Sequence, residues 1–108
     1  MLPEAYLLIK AFAMDERQKE KDAHDIHFVM RNYQPDVESL AARIRPLLAT
    51  GLAREGYDTL KRKFAKLESV APSWAAKVAA ERGEDYRQSQ RSAFQYAQAL
   101  FAATERSG

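Results

Sequence analysis

Apolar residues recur at spacings of three and four along almost the whole chain, which is the period of amphipathic α-helices. The first predicted helix begins at Pro3 and ends near residues 15–18, where the sequence turns wholly polar. It directs four residues toward a core: Ala5, Leu8, Ile9 and Phe12. The second predicted helix carries Ala23, Ile26, Met30 and Tyr33 on one face, and residues 32–35 stop it.

The third helix is predicted to start at Pro35 or Asp36, and Pro46 should kink or divide it because proline removes a backbone donor. Its wide apolar face comprises Val37, Leu40, Ala41, Ile44, Leu47 and Leu48. Gly51 is expected to end this stretch, and a fourth helix is predicted over about residues 52–67. That helix is weakened by Gly56, by roughly 1 kcal/mol relative to alanine. Its apolar side comprises Ala53, Tyr57, Leu60, Phe64 and Leu67.

The last third of the chain predicts two more helices. Pro72 opens the fifth, which carries Trp74, Ala75, Val78 and Ala79 before Gly83 ends it. The sixth runs from Glu84 toward Thr104, and its inward residues are Tyr86, Ala93, Phe94, Ala97, Leu100 and Phe101. Because no run alternates with period two, we expect no sheet.

Residues 1–108 therefore predict one all-α domain, a compact bundle of five to seven helices. The largest side chains on the apolar stripes should be buried. They are Ile26, Met30, Leu40, Ile44, Leu60, Phe64, Phe94 and Leu100.

Composition indicates the class of protein and its compartment, and it says less about function. With 46% hydrophobic and 30% charged residues, the chain has an ordinary globular balance, and its length suits a single domain. It has no cysteine, no apolar run of membrane-spanning length and no signal-peptide pattern, so we expect a cytoplasmic protein. A net charge of +2 is too small to indicate nucleic-acid binding without clustering.

Four ionisable residues lie within the first two apolar stripes. Lys10 and Arg17 are seven apart, close to two helical turns, and so project from one side of the first helix. Asp22 and Asp25 are three apart and share a side of the second. Two cations facing two carboxylates form either a structural ion-pair cluster or part of a phosphate-handling site.

The same region resembles the C-terminal signature of the abortive-infection nucleotidyltransferase family, toxins of the AbiEii type. In that family a lysine-bearing helix is followed by an arginine, a basic residue, and an Arg-Asp pair with a second Asp three residues later. Here the run from Lys21 to Asp25, Lys-Asp-Ala-His-Asp, takes the place of the usual Arg-Asp-Leu-Tyr-Asp. The resemblance covers about a quarter of the chain.

The resemblance implies that Lys10 contacts the triphosphate of a nucleotide, and that Asp22 and Asp25 orient the lysine or line the site. The family's catalytic metal ligands follow a Gly-Ser turn on a β-sheet, and this chain contains no Gly-Ser pair. We therefore expect the helical C-terminal part of such an enzyme, without catalytic residues or a metal site of its own. It should be inactive alone and should use a nucleoside triphosphate and a divalent metal only when joined to a catalytic half.

Other interpretations compete with this one. The four-residue cluster of Lys10, Arg17, Asp22 and Asp25 suits a free-standing helical interaction module equally well, if its role is to pair helices. The spacing of Arg17 and His24, with six residues between them, also fits the arginine–histidine motif of the helical HEPN ribonucleases. In that motif the histidine would serve acid–base chemistry. His24 and His27 share a helix face, but without a third ligand we expect ordinary histidines on the helix surface.

Two surfaces are candidates for partners. Four basic residues, Lys61, Arg62, Lys63 and Lys66, form the densest positive patch, a weak candidate for RNA that acidic neighbours interrupt. Three apolar residues, Leu7, Phe28 and Val29, are left over after the core stripes are assigned. They predict contact with a missing catalytic domain or with a second copy in a homodimer.

Overall fold

The computed structural model describes residues 1–106. Within this range the chain forms six α-helices, one 3-10 helix and no strand. In order they are α1 (Pro3–Arg17), α2 (Glu20–Asn32), α3 (Val37–Ile44), the 3-10 helix (Arg45–Ala49), α4 (Gly51–Lys63), α5 (Val70–Glu81) and α6 (Tyr86–Thr104). The prediction of an all-α bundle of five to seven helices is confirmed.

A very short turn folds α1 back on α2. Gln18 adopts a left-handed conformation with φ of 54°, and its N–H donates to the carbonyl of Met14 at 2.8 Å. This closes the last turn of α1, and α2 begins two residues later at Glu20. Because so short a connection makes consecutive helices antiparallel neighbours, α1 and α2 lie side by side.

Several helix boundaries differ from the sequence prediction. Pro46 does divide the third helix, which continues as a 3-10 helix after Ile44. Gly51, expected to be a stop, is instead the first residue of α4, and this helix ends at Lys63 rather than Leu67. Helix α5 starts two residues before Pro72, since a proline is tolerated in a first turn.

The core contains the predicted large side chains with one exception. Ile26, Met30, Leu40, Ile44, Leu60, Phe64 and Leu100 are fully buried. Phe94 is only partly buried, because the inward face of α6 runs through Ala93 and Ala97 and Phe94 lies at its edge. Tyr86, also predicted to point inward, is 42% exposed at the first turn of α6.

Helix α1 is rotated relative to its predicted orientation. Leu7, predicted to be a surface residue, is 0% exposed, whereas Ile9, predicted to be a core residue, is 54% exposed. The cause is that α1 packs against two helices, α2 on one side and α4 on the other. The buried stripe of α1 therefore follows Leu7, Leu8, Ala11 and Met14.

Candidate functional site

The structure brings the four predicted residues of α1 and α2 into one cluster. The Lys10 Nζ atom lies 3.0 Å from Asp22 Oδ1 and 3.1 Å from Asp25 Oδ2. Arg17 Nη2 donates to both carboxylate oxygens of Asp22, at 2.9 and 3.0 Å. The seven-residue spacing on α1 and the three-residue spacing on α2 thus place each pair on facing sides of the two helices.

The side chains of the cluster differ in exposure, from buried at Asp22 to half-exposed at Arg17. The Asp22 side chain is 3% exposed, while those of Lys10 and Asp25 are 20% and 22% exposed and that of Arg17 is 47% exposed. A buried carboxylate costs several kcal/mol unless it is paired and hydrogen-bonded. Lys10 and Arg17 together supply that pairing to Asp22.

Lys10 stays charged and keeps one donor uncommitted to a carboxylate. Burial alone lowers the pKa of Lys10, but the hydrogen bonds and charges of Asp22 and Asp25 together outweigh burial and hold it above its ordinary value. An ammonium group has three donors, and the two carboxylates take two of them. The Tyr6 ring lies on the same side, with its centroid 5.7 Å from the Lys10 Nζ atom.

The two histidines of α2 are buried, so the expectation of surface histidines is wrong. His27 is 3% exposed and His24 is 9% exposed. The reason is that α2 packs against α1, α5 and α6, which leaves it little free surface. The imidazole of His27 shares a hydrogen bond with Ser92 of α6, with Nε2 and Oγ 2.9 Å apart.

Burial also makes both imidazoles weak bases. It lowers the pKa of His27 to about 4, with a smaller contribution from the positive charge of Arg31. Burial lowers the pKa of His24 as well, assisted by Arg82. Within residues 1–106 no group of three or more histidine, aspartate or glutamate side chains is placed to hold a metal ion.

The arginine–histidine pair of the HEPN alternative is divided between two environments. Arg17 is engaged with Asp22, whereas His24 lies two residues farther along α2, on the other side of that helix. The charges acting most strongly on its ring are those of Arg82, in the connection between α5 and α6, and Asp25, which also contacts Lys10. The ribonuclease alternative stays a prediction.

The basic patch on α4 is interleaved with carboxylates from other parts of the chain. Lys61 pairs with Glu105 at 2.8 Å, and Arg62 and Lys63 both pair with Asp15, at 3.2 and 3.3 Å. The pKa values of Asp15 and Glu105 are lowered chiefly by hydrogen bonds from these lysines. Lys66, the fourth member, is exposed in the connection after α4. The patch therefore presents less net positive charge than the sequence suggests.

Of the three leftover apolar residues, only Phe28 is well exposed, at 54%. Val29 is partly buried and Leu7 is in the core. Phe28 borders a cavity of about 380 Å³ at the end of the α1–α2 face. The residues lining this cavity are Pro3, Phe28, Val29, Asn32, Tyr33 and Gln34.

A second, almost wholly apolar groove of about 300 Å³ lies on the other side of α1. It is lined by Ala5, Leu8, Ile9, Phe12, Leu47, Leu52 and Ala53. A larger cavity of about 490 Å³ lies where the end of α2 meets α3 and α6, and Tyr33 borders it too.

Sequence reasoning missed the contacts that join distant parts of the chain. His27 and Ser92 are 65 residues apart, and Tyr57 donates a hydrogen bond of 2.7 Å to Glu105, 48 residues away. No local spacing signals such pairs. The cluster at Lys10 was found because its members come from two consecutive helices.

Comparison of the chain with protein-family models, with curated proteins and with solved structures gave no match. No helix in residues 1–106 combines the length and apolarity needed to cross a membrane. The geometry at Lys10 therefore carries the functional interpretation.

Proposed function

We propose that this chain is the helical C-terminal part of a nucleotidyltransferase-like, toxin-type protein, in which Lys10 meets the phosphates of a bound nucleotide. One observation carries the proposal. The Lys10 ammonium is held by carboxylates from two successive turns of α2, at 3.0 and 3.1 Å, and these contacts leave one of its three donors without a carboxylate partner.

This arrangement suits the demands of nucleotidyl transfer. The reaction develops negative charge on phosphate oxygens, and a fixed cation at that place stabilises the transition state. A lysine side chain is long and flexible, so carboxylates that hold it in one position reduce the cost of aiming it. Asp22 and Asp25 are positioning residues in this proposal, and Arg17 balances the charge of the buried Asp22.

The chemistry itself belongs to a catalytic half that supplies the metal ligands. The proposed cofactors are a nucleoside triphosphate and a divalent metal, and both take part in transfer only when this chain is joined to that half. The proposed location is the cytoplasm, where nucleoside triphosphates are abundant. The isolated chain is then a partner-dependent domain without transfer activity.

A structural role for the cluster is the second candidate. Its support is the near-complete burial of Asp22, whose carboxylate is bridged by Lys10 from the middle of α1 and by Arg17 from its last turn. In a free-standing interaction module, this network would fix the angle and register of the α1–α2 pair. Loss of either cation would then leave a buried charge underpaired.

Substitution of Lys10→Met separates the two candidates. If Arg17 alone is enough to pair Asp22, so that Lys10 is available to phosphates, loss of Lys10 in this chain should cost no more than about 1 kcal/mol of unfolding free energy. If the cluster is structural, the loss should reach about 3 kcal/mol. Urea unfolding of the parent and of the Lys10→Met variant measures the difference in their free energies of unfolding. Lys77→Met is the matched control, because Lys77 makes only an exposed pair with Glu20.

The decisive measurement uses a longer protein that joins this helical part to a Gly-Ser turn with paired acidic residues. There, Lys10→Met should abolish nucleotide transfer and leave the fold intact, because the cation acts chiefly in the transition state. The Lys77→Met protein should transfer normally. Severe destabilisation of this chain together with full activity of the longer protein would refute the proposal.

A further inference from the structure

The cavity beside Phe28 lies in line with Lys10, and we propose that it is a nucleobase subsite. A nucleotide whose phosphates meet Lys10 would place its base in this cavity, which Pro3, Asn32 and Gln34 also line. This inference rests on the proposed function and adds a second contact with the nucleotide, at its base, to the contact of its phosphates with Lys10.

The placement follows from the antiparallel pairing of α1 and α2. Lys10 contacts Asp25, and seven residues away on both helices Pro3 and Asn32 line one cavity. Seven residues of α-helix rise about 10 Å. This separation suits a nucleotide that lies extended along the groove between the two helices, with its phosphates at one end and its base at the other.

The surface between the two points has aromatic character. Tyr6 lies one turn from both Lys10 and Pro3, and its ring faces the Lys10 ammonium. Phe28 lies one turn from Asp25 and is 54% exposed, so much of its side chain is accessible to a ligand. Every nucleobase offers a flat face that stacks on such a ring.

The rim of the cavity offers hydrogen-bonding groups for the edge of a base. The Asn32 amide nitrogen donates to the carbonyl oxygen of Phe28 at 2.8 Å, which leaves its amide oxygen as an acceptor. Gln34 is exposed at the same rim and brings both a donor and an acceptor. Apolar walls with a few amide groups are typical of sites for small planar ligands.

The test compares three probes on the full chain: ATP, inorganic triphosphate and adenosine, each titrated by NMR. We expect ATP to bind about tenfold more tightly than triphosphate, because stacking adds to the phosphate contacts. Phe28→Leu, which keeps an apolar side chain but removes the flat ring, should abolish that difference. Lys10→Met should weaken ATP and triphosphate alike. Leu52→Ala, at an exposed position on α4 away from the groove between α1 and α2, is the control and should change neither affinity.

The outcomes distinguish this inference from the proposed function. Equal affinities for ATP and triphosphate, both dependent on Lys10, would overturn the base subsite and leave the phosphate role in place. ATP binding that depends on Phe28 but not on Lys10 would overturn the phosphate role and the shared groove with it. Absence of binding by all three probes would overturn both. Circular dichroism of each variant confirms that it is folded before it is titrated.

Discussion

At the scale of single residues, His27 makes stability depend on pH. Its folded pKa is about 4, below the ordinary 6.5, because the ring is buried. As the pH falls, His27 therefore binds a proton in the unfolded chain before it does so in the folded chain. The contribution of neutral His27 to the free energy of unfolding is complete above about pH 6.5 and is lost on acidification. We expect this residue alone to account for a loss of about 2 kcal/mol between pH 7 and pH 5.

Urea unfolding at these two pH values measures the effect, with His27→Gln as the comparison. Glutamine can retain a hydrogen bond with Ser92 but does not titrate. The variant should lose less stability than the parent between pH 7 and pH 5, whatever its stability at pH 7. Identical losses in the two proteins would show that His27 is not the titrating group.

At the scale of helix pairs, Gly56 permits α4 to approach α1 closely. A Cβ atom at this position would lie 2.6 Å from the carbonyl oxygen of Leu8, a backbone atom that cannot rotate away. The sequence predicts only that this glycine weakens its helix. The structure shows why the residue is glycine, since any side chain would push the two helices apart.

Gly56→Ala should therefore lower the unfolding free energy by about 1–2 kcal/mol, because overpacking exceeds the gain in helix propensity. Gly51→Ala is the control, since a Cβ atom there has no neighbour within 4 Å. That variant should be as stable as the parent or more so. Thermal and urea unfolding measure both, and a Gly56→Ala protein more stable than the parent would contradict the close packing.

At the scale of the whole molecule, apolar surface on α1 and α4 predicts self-association. Ile9 and Leu52 are 54% and 69% exposed beside the apolar groove between these helices. Because Leu7 is buried, this groove replaces the Leu7, Phe28 and Val29 surface as the expected contact of a homodimer. Large exposed apolar patches commonly mark such contacts.

Sedimentation equilibrium at rising concentration tests this expectation, and Leu52→Lys should shift the chain toward monomer. Tyr86→Lys is the control, since Tyr86 is 42% exposed at the start of α6, outside the groove. A strictly monomeric parent at high concentration would rule out the homodimer.

The sequence by itself determined the helical class and most of the breaks between helices. Apolar spacing of three and four is a local property, and prolines interrupt helices through their own backbone chemistry, as Pro46 does here. The contacts of Lys10 with Asp22 and Asp25 were predictable for the same reason. A two-residue turn joins their helices, so spacing along each helix was enough to bring the side chains together.

Tertiary structure alone decided which way α1 faces and what surrounds the histidines and the basic patch. Periodicity identifies an apolar stripe but not its centre, so Leu7 and Ile9 exchange places once α2 and α4 pack on α1. The partners of His27, Tyr57 and Lys61 lie 44 to 65 residues away in sequence. Such pairs form only when the packing of whole helices brings them within hydrogen-bonding distance, and local spacing carries no record of that packing.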